Sequence, residues 1–385
     1  MKNLILGGRN IVIGRGALES LQNLKAERVF IVTGGKSMLE SGVIARIEKL
    51  LAVKGCQTYV YSGIKKNPDT VDVLGGLGKM RDFRPDLIIA VGGGSPIDAA
   101  KVMALLYEHP EITFDNILTV TLPEQRSSLK FIAIPSTSGT GSEVTRAAVI
   151  TFRDSLIKIG LKTPAFIPDV AILDADLTMT MPGNVVAETG MDAMTHAVEC
   201  FINSNLDDFT ECLAQGAVEG LFTYLPVSYQ QKTVESREKV HHYQCLAGIA
   251  FDNVGLGMAH GISHAIGGLF DLGHGLTNAI ALPYVLEYNA QDERVNSRLS
   301  RLARLIGQSD FIAAIRALNQ ALHIPVSFKE AGIDQQLFED NFKLLVKNSL
   351  KGSTRVNPVP VSEQNITDIL SAMFYGKGLS LDVKK

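Results

Sequence analysis

The chain has 385 residues, of which 46% are hydrophobic and 20% charged, and this length predicts two domains because it exceeds the usual size of one hydrophobic core. The formal net charge of −3 gives no basic footprint, so nucleic acid is not expected as a partner. The four cysteines include no CxxC pair, which indicates a reducing compartment and predicts a cytoplasmic protein.

The first half of the sequence alternates strand-like and helix-like segments. Its first apolar run, residues 4–6, is too short for a signal peptide. In the run 86–91 every residue after Asp86 is apolar, which is typical of a strand buried on both faces. Strands are predicted at residues 28–33, 58–61, 86–91, 129–134 and 170–174, and helices at 37–54, from the turn at 67–68 to about 83, and from 96 onward. This alternation predicts an α/β domain with a largely parallel sheet.

From about residue 181 the sequence shows mostly helical periodicity. Helices are predicted at residues 184–202, 208–225, 236–267, 293–306, 309–322 and 335–349. Pro182-Gly183 interrupts the chain before the first of them. We therefore predict an α/β domain over residues 1–180 and a helical domain over residues 181–385.

The most apolar stretch of the helical half spans residues 245–270. It contains polar side chains, among them Asp252, His260 and His264, that would be costly to place in lipid. The stretch therefore predicts a buried helical region that contains a site, and no membrane is expected as a partner.

Two loops rich in glycine and hydroxyl groups follow predicted strands. Gly92-Gly93-Gly94-Ser95 leads into a helix whose first turn holds Pro96, and residues 135–143 form the second loop. Glycine lets backbone N–H groups approach an anion, and a helix N-terminus attracts negative charge. Each loop alone fits a tight turn, but both lie where open α/β sheets bind ligands. The pair predicts a pyrophosphate-sized ligand, although neither the GxGxxG nor the P-loop signature is present.

Carboxylate and imidazole groups recur at metal-ligand spacing in the second half. Asp192 and His196 stand at i and i+4 on one predicted helix face, His260 and His264 repeat this spacing, and His274 follows ten residues later. Asp192 and His196 alone fit an ordinary helix-surface pair, but burying the whole group without partners would be expensive. A shared divalent cation explains the group, and its nitrogen and oxygen donors suit Fe²⁺, Zn²⁺, Ni²⁺ or Co²⁺.

Taken together, these motifs resemble the iron-containing (group III) alcohol dehydrogenase family over essentially the whole chain. The resemblance is carried by residues 92–101, 135–143, 190–199 and 260–275. It implies an N-terminal α/β dinucleotide-binding domain, an all-helical C-terminal metal-binding domain and an active site in the cleft between them. It also implies hydride transfer between NAD or NADP and an alcohol or aldehyde, with Fe²⁺ or Zn²⁺ as the metal and a homo-oligomeric assembly.

The resemblance further implies roles for particular residues. It makes Asp192, His196, His260 and His274 the metal ligands, and His264 a catalytic proton relay near the nicotinamide and substrate. The implied cofactor-binding residues are Asn67, Gly93, Gly94, Ser95, Ser136, Thr137, Thr145 and Lys158. The other four histidines are expected to be solvated or structural; they are His109, His241, His242 and His323.

Three departures from the family pattern stand in the sequence. NAD-specific members often carry an Asp after the Val-Thr of the first strand, where this chain has Gly34-Gly35. A carboxylate there would repel a 2′-phosphate, so its absence is compatible with NADP and the choice stays open. Gly273 replaces the usual Pro before the last histidine, and Asn357-Pro358-Val359 replaces the common Asn-Pro-Arg.

Two other enzyme types share the two-domain plan and remain alternatives. One is a zinc glycerol dehydrogenase; the other is dehydroquinate synthase, a lyase whose phosphate-bearing substrate calls for basic residues. No Lys or Arg stands within residues 190–199 or 260–275, which counts against the lyase and favours a short neutral alcohol, aldehyde or diol. A non-catalytic protein of this fold would not need all the ligands and both loops.

Overall fold

The computed structural model describes residues 3–153, 157–270 and 272–379. The chain divides into two units, residues 1–181 and 182–385. Both β-sheets belong to the first unit, and the regular elements described in the second unit are helical. The predicted fold class, an α/β half followed by a helical half, is confirmed.

Strands and helices alternate along the first unit. The strands are β1 (Asn10–Ile13), β2 (Arg28–Thr33), β3 (Gln57–Tyr61), β4 (Leu87–Gly92), β5 (Lys130–Pro135), β6 (Ala147–Phe152), β7 (Ile157–Lys162) and β8 (Val170–Leu173). The α-helices are α1 (Ser37–Glu40), α2 (Val43–Ala52), α3 (Thr70–Phe83) and α4 (Gly94–Glu108). Six strands form a parallel sheet in the order β1-β8-β5-β4-β2-β3, while β6 and β7 form an antiparallel pair.

The interior of the parallel sheet fixes where the two glycine-rich loops begin. All six residues of β4 are buried, as expected of an apolar strand with both faces covered. Strand β4 pairs in parallel with β5, and Gly92 lies opposite Pro135 at their carboxyl ends. The two loops therefore leave the same edge of the sheet side by side.

The first unit differs from the sequence predictions in two places. The helix predicted over residues 37–54 is interrupted at Gly42, whose φ of 77° is left-handed and separates α1 from α2. Strand β1 and the β6–β7 pair are additional elements. Strand β1 is four residues long, lies at the sheet edge and is mostly exposed, and its three apolar residues, 11–13, form a run too short to predict a strand.

The described residues of the second unit include nine α-helices. They are α5 (Gly183–Ile202), α6 (Asp208–Gln230), α7 (Val234–Val254), α8 (Met258–Phe270), α9 (His274–Asn289), α10 (Glu293–Leu305), α11 (Phe311–Ala321), α12 (Gln335–Ser349) and α13 (Glu363–Tyr375). Helix α9 was not predicted because it is buried over most of its length and shows no polar face. Helix α13 was not predicted either, although Ser362 caps it and Ile366, Ile369, Leu370 and Met373 have helical spacing.

The single helix predicted over residues 236–267 is wrong. The chain forms α7 and α8 there, with a bend of 102° between them. Gly255 follows α7 at φ 103°, a conformation that L side chains rarely adopt, so the helix ends before it. The break places His260 in the first turn of α8. Among the described residues no single helix is long and apolar enough to span a membrane. Helices α7 and α8 reach the length and apolar composition of a span only when they are taken together as a bent pair.

Candidate active site

Three helices of the second unit carry the predicted metal ligands. Asp192 and His196 lie on α5, His260 lies on α8, and His274 is the first residue of α9. The fold thus brings together residues that are up to 82 positions apart in sequence (274 − 192). Because each lies on a helix within a buried bundle, the backbone under each side chain is fixed by packing.

A glycine brings α9 against α5 at this point. A Cβ added to Gly275 would lie 2.2 Å from the carbonyl oxygen of Glu188 and 3.3 Å from Cβ of Asp192. Only a residue without a side chain allows this approach. In the segment 260–275, His274 therefore supplies a donor atom, and Gly275 allows the close helix contact that brings this atom near Asp192.

Asp192, His260 and His274 form a compact set of donors. One donor atom from each lies within 4.8 Å of the others. The Nε2 atoms of His260 and His274 lie 3.8 and 3.6 Å from Oδ1 of Asp192. The side chains of His260 and Asp192 are 1% and 4% exposed, whereas that of His274 is 35% exposed, so the set opens toward solvent on the His274 side.

His196 and His264 lie against this set through their rings. The ring of His196 stacks on His260, with centroids 4.6 Å apart and planes within 19° of each other. The ring of His264 stacks on His274 at 5.0 Å. His196 is not one of the three residues whose donor atoms converge, so its assignment as the fourth ligand stays a prediction.

Side chains that the sequence patterns did not single out hold the donors in place. Glu199 accepts a hydrogen bond from Nδ1 of His260 at 2.7 Å. Asn278 donates through Nδ2 to Oδ1 of Asp192 at 2.7 Å, and Oγ of Ser263 lies 3.1 Å from Nδ1 of His274. Helical spacing could have indicated both Glu199 and Asn278. Glu199 stands seven residues after Asp192 and Asn278 four residues after His274, so each lies on the same helix face as a predicted ligand.

Burial controls the charge of these groups. It holds the pKa of His260 well below its usual value, and the neighbouring His196, His274 and His264 lower it further. The imidazole is therefore neutral and able to ligate. Burial raises the pKa of Glu199 to about 7, and the backbone N–H groups of Ala259 and Gly257 oppose that rise.

The first glycine-rich loop is in tight contact with the second. A Cβ on Gly94 would lie 2.8 Å from Cγ2 of Thr140, and one on Gly93 would lie 3.3 Å from Oγ1 of Thr137. Gly93 precedes α4 with extended φ and ψ, so the N-terminus of that helix faces the loop. In the second loop, the backbone N–H of Ser136 donates to the carbonyl of Gly92 at 2.8 Å. Five of the predicted cofactor residues are thus held in one region: Gly93, Gly94, Ser95, Ser136 and Thr137.

A buried lysine that was not among the predicted site residues orders the end of the second loop. The ammonium group of Lys101, on α4, donates to the carbonyl and to Oγ1 of Thr145, at 3.0 and 3.2 Å. It also donates to Oγ of Ser142 and to the carbonyl of Ala147. Asp98 lies 3.9 Å away and supplies the opposite charge. Thr145, a predicted cofactor residue, is therefore positioned by a cation inside the domain.

The remaining predicted cofactor residues, Asn67 and Lys158, contact each other elsewhere in the first unit. Nζ of Lys158, on β7, donates to Oδ1 of Asn67 at 3.0 Å. Ser95 Oγ donates to the carbonyl of Lys66, the residue before Asn67. The Asn67 turn is thereby tied both to the first loop and to the antiparallel pair.

Two family models match the chain along most of its length. The model described as iron-containing alcohol dehydrogenase matches residues 8–175, and the model described as Fe-containing alcohol dehydrogenase family, C-terminal, matches residues 186–374. The chain belongs to the iron-containing alcohol dehydrogenase family.

Individual proteins similar to this iron-containing alcohol dehydrogenase agree with that assignment. An NADPH-dependent butanol dehydrogenase from Clostridium saccharobutylicum is 40% identical over 378 residues, covering 96% of this chain and 97% of the relative. The 1-propanol dehydrogenase PduQ of Salmonella typhimurium is 34% identical, covering 94% of this chain and 96% of the relative. The structure of an iron-containing alcohol dehydrogenase from Thermococcus thioreducens superposes with a TM-score of 0.90 at 32% identity, covering 97% and 100% of the two chains. The predicted enzyme class, an oxidoreductase acting on CH–OH groups, is confirmed.

Proposed function

We propose that this enzyme transfers a hydride between NADP(H) and a small neutral alcohol or aldehyde at a divalent metal held by Asp192, His260, His274 and His196. The observation that carries the proposal is the convergence of donor atoms from Asp192, His260 and His274 within 4.8 Å. A divalent ion bound there would supply Lewis-acid polarisation of the substrate oxygen. A cytoplasmic location and a homo-oligomeric state accompany this proposal as predictions.

The donor chemistry supports a metal of the iron and zinc type. The set comprises one carboxylate and neutral imidazoles and contains no thiolate, which suits Fe²⁺ first and Zn²⁺ second. Nε2 of His260 makes no hydrogen bond within the described structure, and its Nδ1 is already engaged by Glu199. That leaves the Nε2 lone pair for a cation.

The loops of the first unit support a pyrophosphate-bearing cofactor, and the residues after β2 favour NADPH. Gly34-Gly35 provide no carboxylate to repel a 2′-phosphate. A Cβ on Gly34 would have only one neighbour within 4 Å, the carbonyl of Ile64 at 3.6 Å, and a Cβ on Gly35 would have none. The Cβ positions of both glycines are therefore uncrowded, which supports NADPH, and the butanol dehydrogenase relative is named as NADPH-dependent.

The substrate follows from the charge around the donors. The segments 190–199 and 260–275, which carry the ligands, contain no Lys or Arg to select an anionic substrate. The relatives are named for butanol and 1-propanol. A short primary alcohol and its aldehyde are thus the proposed substrate pair.

The test is metal analysis and turnover on the purified full chain. After anaerobic purification, we expect about one Fe²⁺ or Zn²⁺ per chain, and faster propanal-dependent oxidation of NADPH than of NADH. The Gly34→Asp variant should reverse that preference, because the new carboxylate repels the 2′-phosphate and accepts from a ribose hydroxyl. A protein that binds neither metal nor cofactor after reconstitution with iron and zinc contradicts the proposed function.

His264 is proposed as the group that carries the hydroxyl proton. Its ring stacks on His274, and it is half-buried, so it lies beside the donors with access to solvent. We expect His264→Ala to retain metal, to turn over about 10²-fold more slowly and to show an altered pH–rate profile, since positioned general acids and bases contribute about 10²–10⁴-fold. Wild-type rates across the pH range would exclude the relay.

A further inference from the structure

The carboxylate of Glu199 is buried next to the predicted metal donors, and the proposed hydride transfer assigns it no role. It is 1% exposed and lies on α5, one turn beyond His196. Its Oε2 accepts from the backbone N–H of Gly257 at 2.9 Å and from Nδ1 of His260 at 2.7 Å. Its Oε1 accepts from the backbone N–H of Ala259 at 2.6 Å. Three donors from one short segment therefore converge on this carboxylate.

This arrangement decides which nitrogen of His260 carries the proton. A backbone N–H only donates, so both oxygens of Glu199 are acceptors in these contacts. An ionised Glu199 has no proton to donate, so with the carboxylate form the remaining contact, with His260, requires Nδ1–H as the donor. A neutral imidazole protonated at Nδ1 has its lone pair on Nε2, the atom that lies 3.8 Å from Oδ1 of Asp192.

Side chains other than Glu199 also hold the backbone segment that leads into α8. The fold of this segment therefore does not depend on the hydrogen bond between Glu199 and His260 alone. Nδ2 of Asn203 donates to the carbonyl of Leu256 at 2.9 Å. Oδ1 of Asn357 accepts from the N–H of Met258 at 3.2 Å. Both amides hold the backbone of this segment rather than the His260 ring. The bond from that ring to Glu199 is thus a distinct interaction on a segment that is held independently.

The geometry points to Glu199 as a positioning residue that fixes the tautomer and orientation of His260 for metal binding. The inference rests on the proposed metal site, and it concerns a residue outside the ligand set. Carboxylates that hydrogen-bond a ligating histidine raise its basicity and fix its ring, and their loss typically costs about 10–100-fold in metal affinity. Glu199→Gln keeps the size of the side chain but leaves only one acceptor oxygen for the three N–H donors.

The first test is made on metal-free protein, so it does not depend on activity. With ¹⁵N-labelled histidine, and with the His260→Ala spectrum for assignment, NMR should show His260 protonated at Nδ1 only. In Glu199→Gln we expect the Nε2–H tautomer to become populated. A wild-type His260 protonated at Nε2 would overturn the inference, and that measurement stands even if the variant does not fold.

The second test is Co²⁺ and Zn²⁺ titration of the same proteins. We expect Glu199→Gln to bind about 10–100-fold more weakly. Glu211→Gln, which alters a surface carboxylate of α6 paired with Arg301, is the matched control and should bind like wild type. The weaker binding should accompany the change in His260 tautomer seen in the metal-free variant, because Glu199 acts through that ring.

The outcomes of the two tests separate the inference from the proposed function. Weaker metal binding in Glu199→Gln with His260 still protonated only at Nδ1 would show a merely structural effect and would overturn the role of Glu199. If wild-type protein binds neither ion although His260 has the Nδ1–H tautomer, the proposed metal site fails while the positioning of His260 stands.

Discussion

Replacing His260 by alanine is expected to remove both the bound metal and turnover. His260 is buried, its Nε2 makes no other hydrogen bond, and it lies within reach of Asp192 and His274. Loss of one of so few donors would weaken metal binding, and with it the polarisation of the substrate oxygen, which is worth several kcal/mol in the transition state. We expect a fall in turnover of about 10³-fold or more, since about 1.4 kcal/mol corresponds to a factor of ten. Metal content per chain and steady-state rates measure the two effects.

The control for this substitution is a histidine with a structural contact only. His323 adopts φ 57° and lies 3.2 Å from the hydroxyl of Tyr229. His323→Asn tolerates that backbone conformation and should keep both metal and rate. A His260→Ala protein with one metal per chain and the wild-type rate would show that the ligand assignment is wrong.

Gly275→Ala is expected to damage the same site without altering a donor atom. The added methyl would lie 2.2 Å from the carbonyl oxygen of Glu188, and backbone cannot rotate away as a flexible side chain can. Helix α9 must therefore shift from α5, carrying His274 away from Asp192. Overpacking of this kind costs about 1–3 kcal/mol, and a displacement near 1 Å costs about 10²-fold in rate. The thermal unfolding midpoint, the metal affinity and the turnover rate should therefore all fall in this variant.

Gly268→Ala provides the matched comparison on α8. Gly268 is exposed, and no atom lies within 4 Å of its added Cβ. Alanine in an exposed helix interior should stabilise the fold by about 0.5–1 kcal/mol and leave metal binding unchanged. Equal behaviour of the two variants would contradict the close approach of α9 to α5 as the reason for a glycine at position 275.

Local patterns in the sequence were sufficient for much of the first unit. The apolar run at β4 and the β-branched run at β2 predicted strands close to the observed bounds. The glycine-rich loop after β4 was predicted because consecutive glycines between a buried strand and a helix let the backbone approach an anion. Elements without a strong period, such as β1 and α9, gave no comparable signal.

In the candidate site, too, the sequence indicated the residues that follow a local spacing and missed those that act between helices. Asp192, His196, His260 and His264 were found from i, i+4 spacing, which is a property of one helix. The roles of Glu199 and Asn278 were not found, because each acts on a residue of another helix and a polar residue in a helix has many ordinary uses. Lys101 was missed for the same reason, since the acceptors of its hydrogen bonds begin 41 residues later in the chain.

The sequence by itself determined the fold class, the two loops, the cluster of nitrogen and oxygen donors and the family to which they belong. These features are local, because spacing along one helix or at one strand end is encoded by adjacent residues. The tertiary structure decided which donor atoms converge, where α7 and α8 bend, and which side chains hold the donors. Those features depend on close packing between segments far apart in the chain, where the missing Cβ of Gly275 or the carboxylate of Glu199 sets the distance.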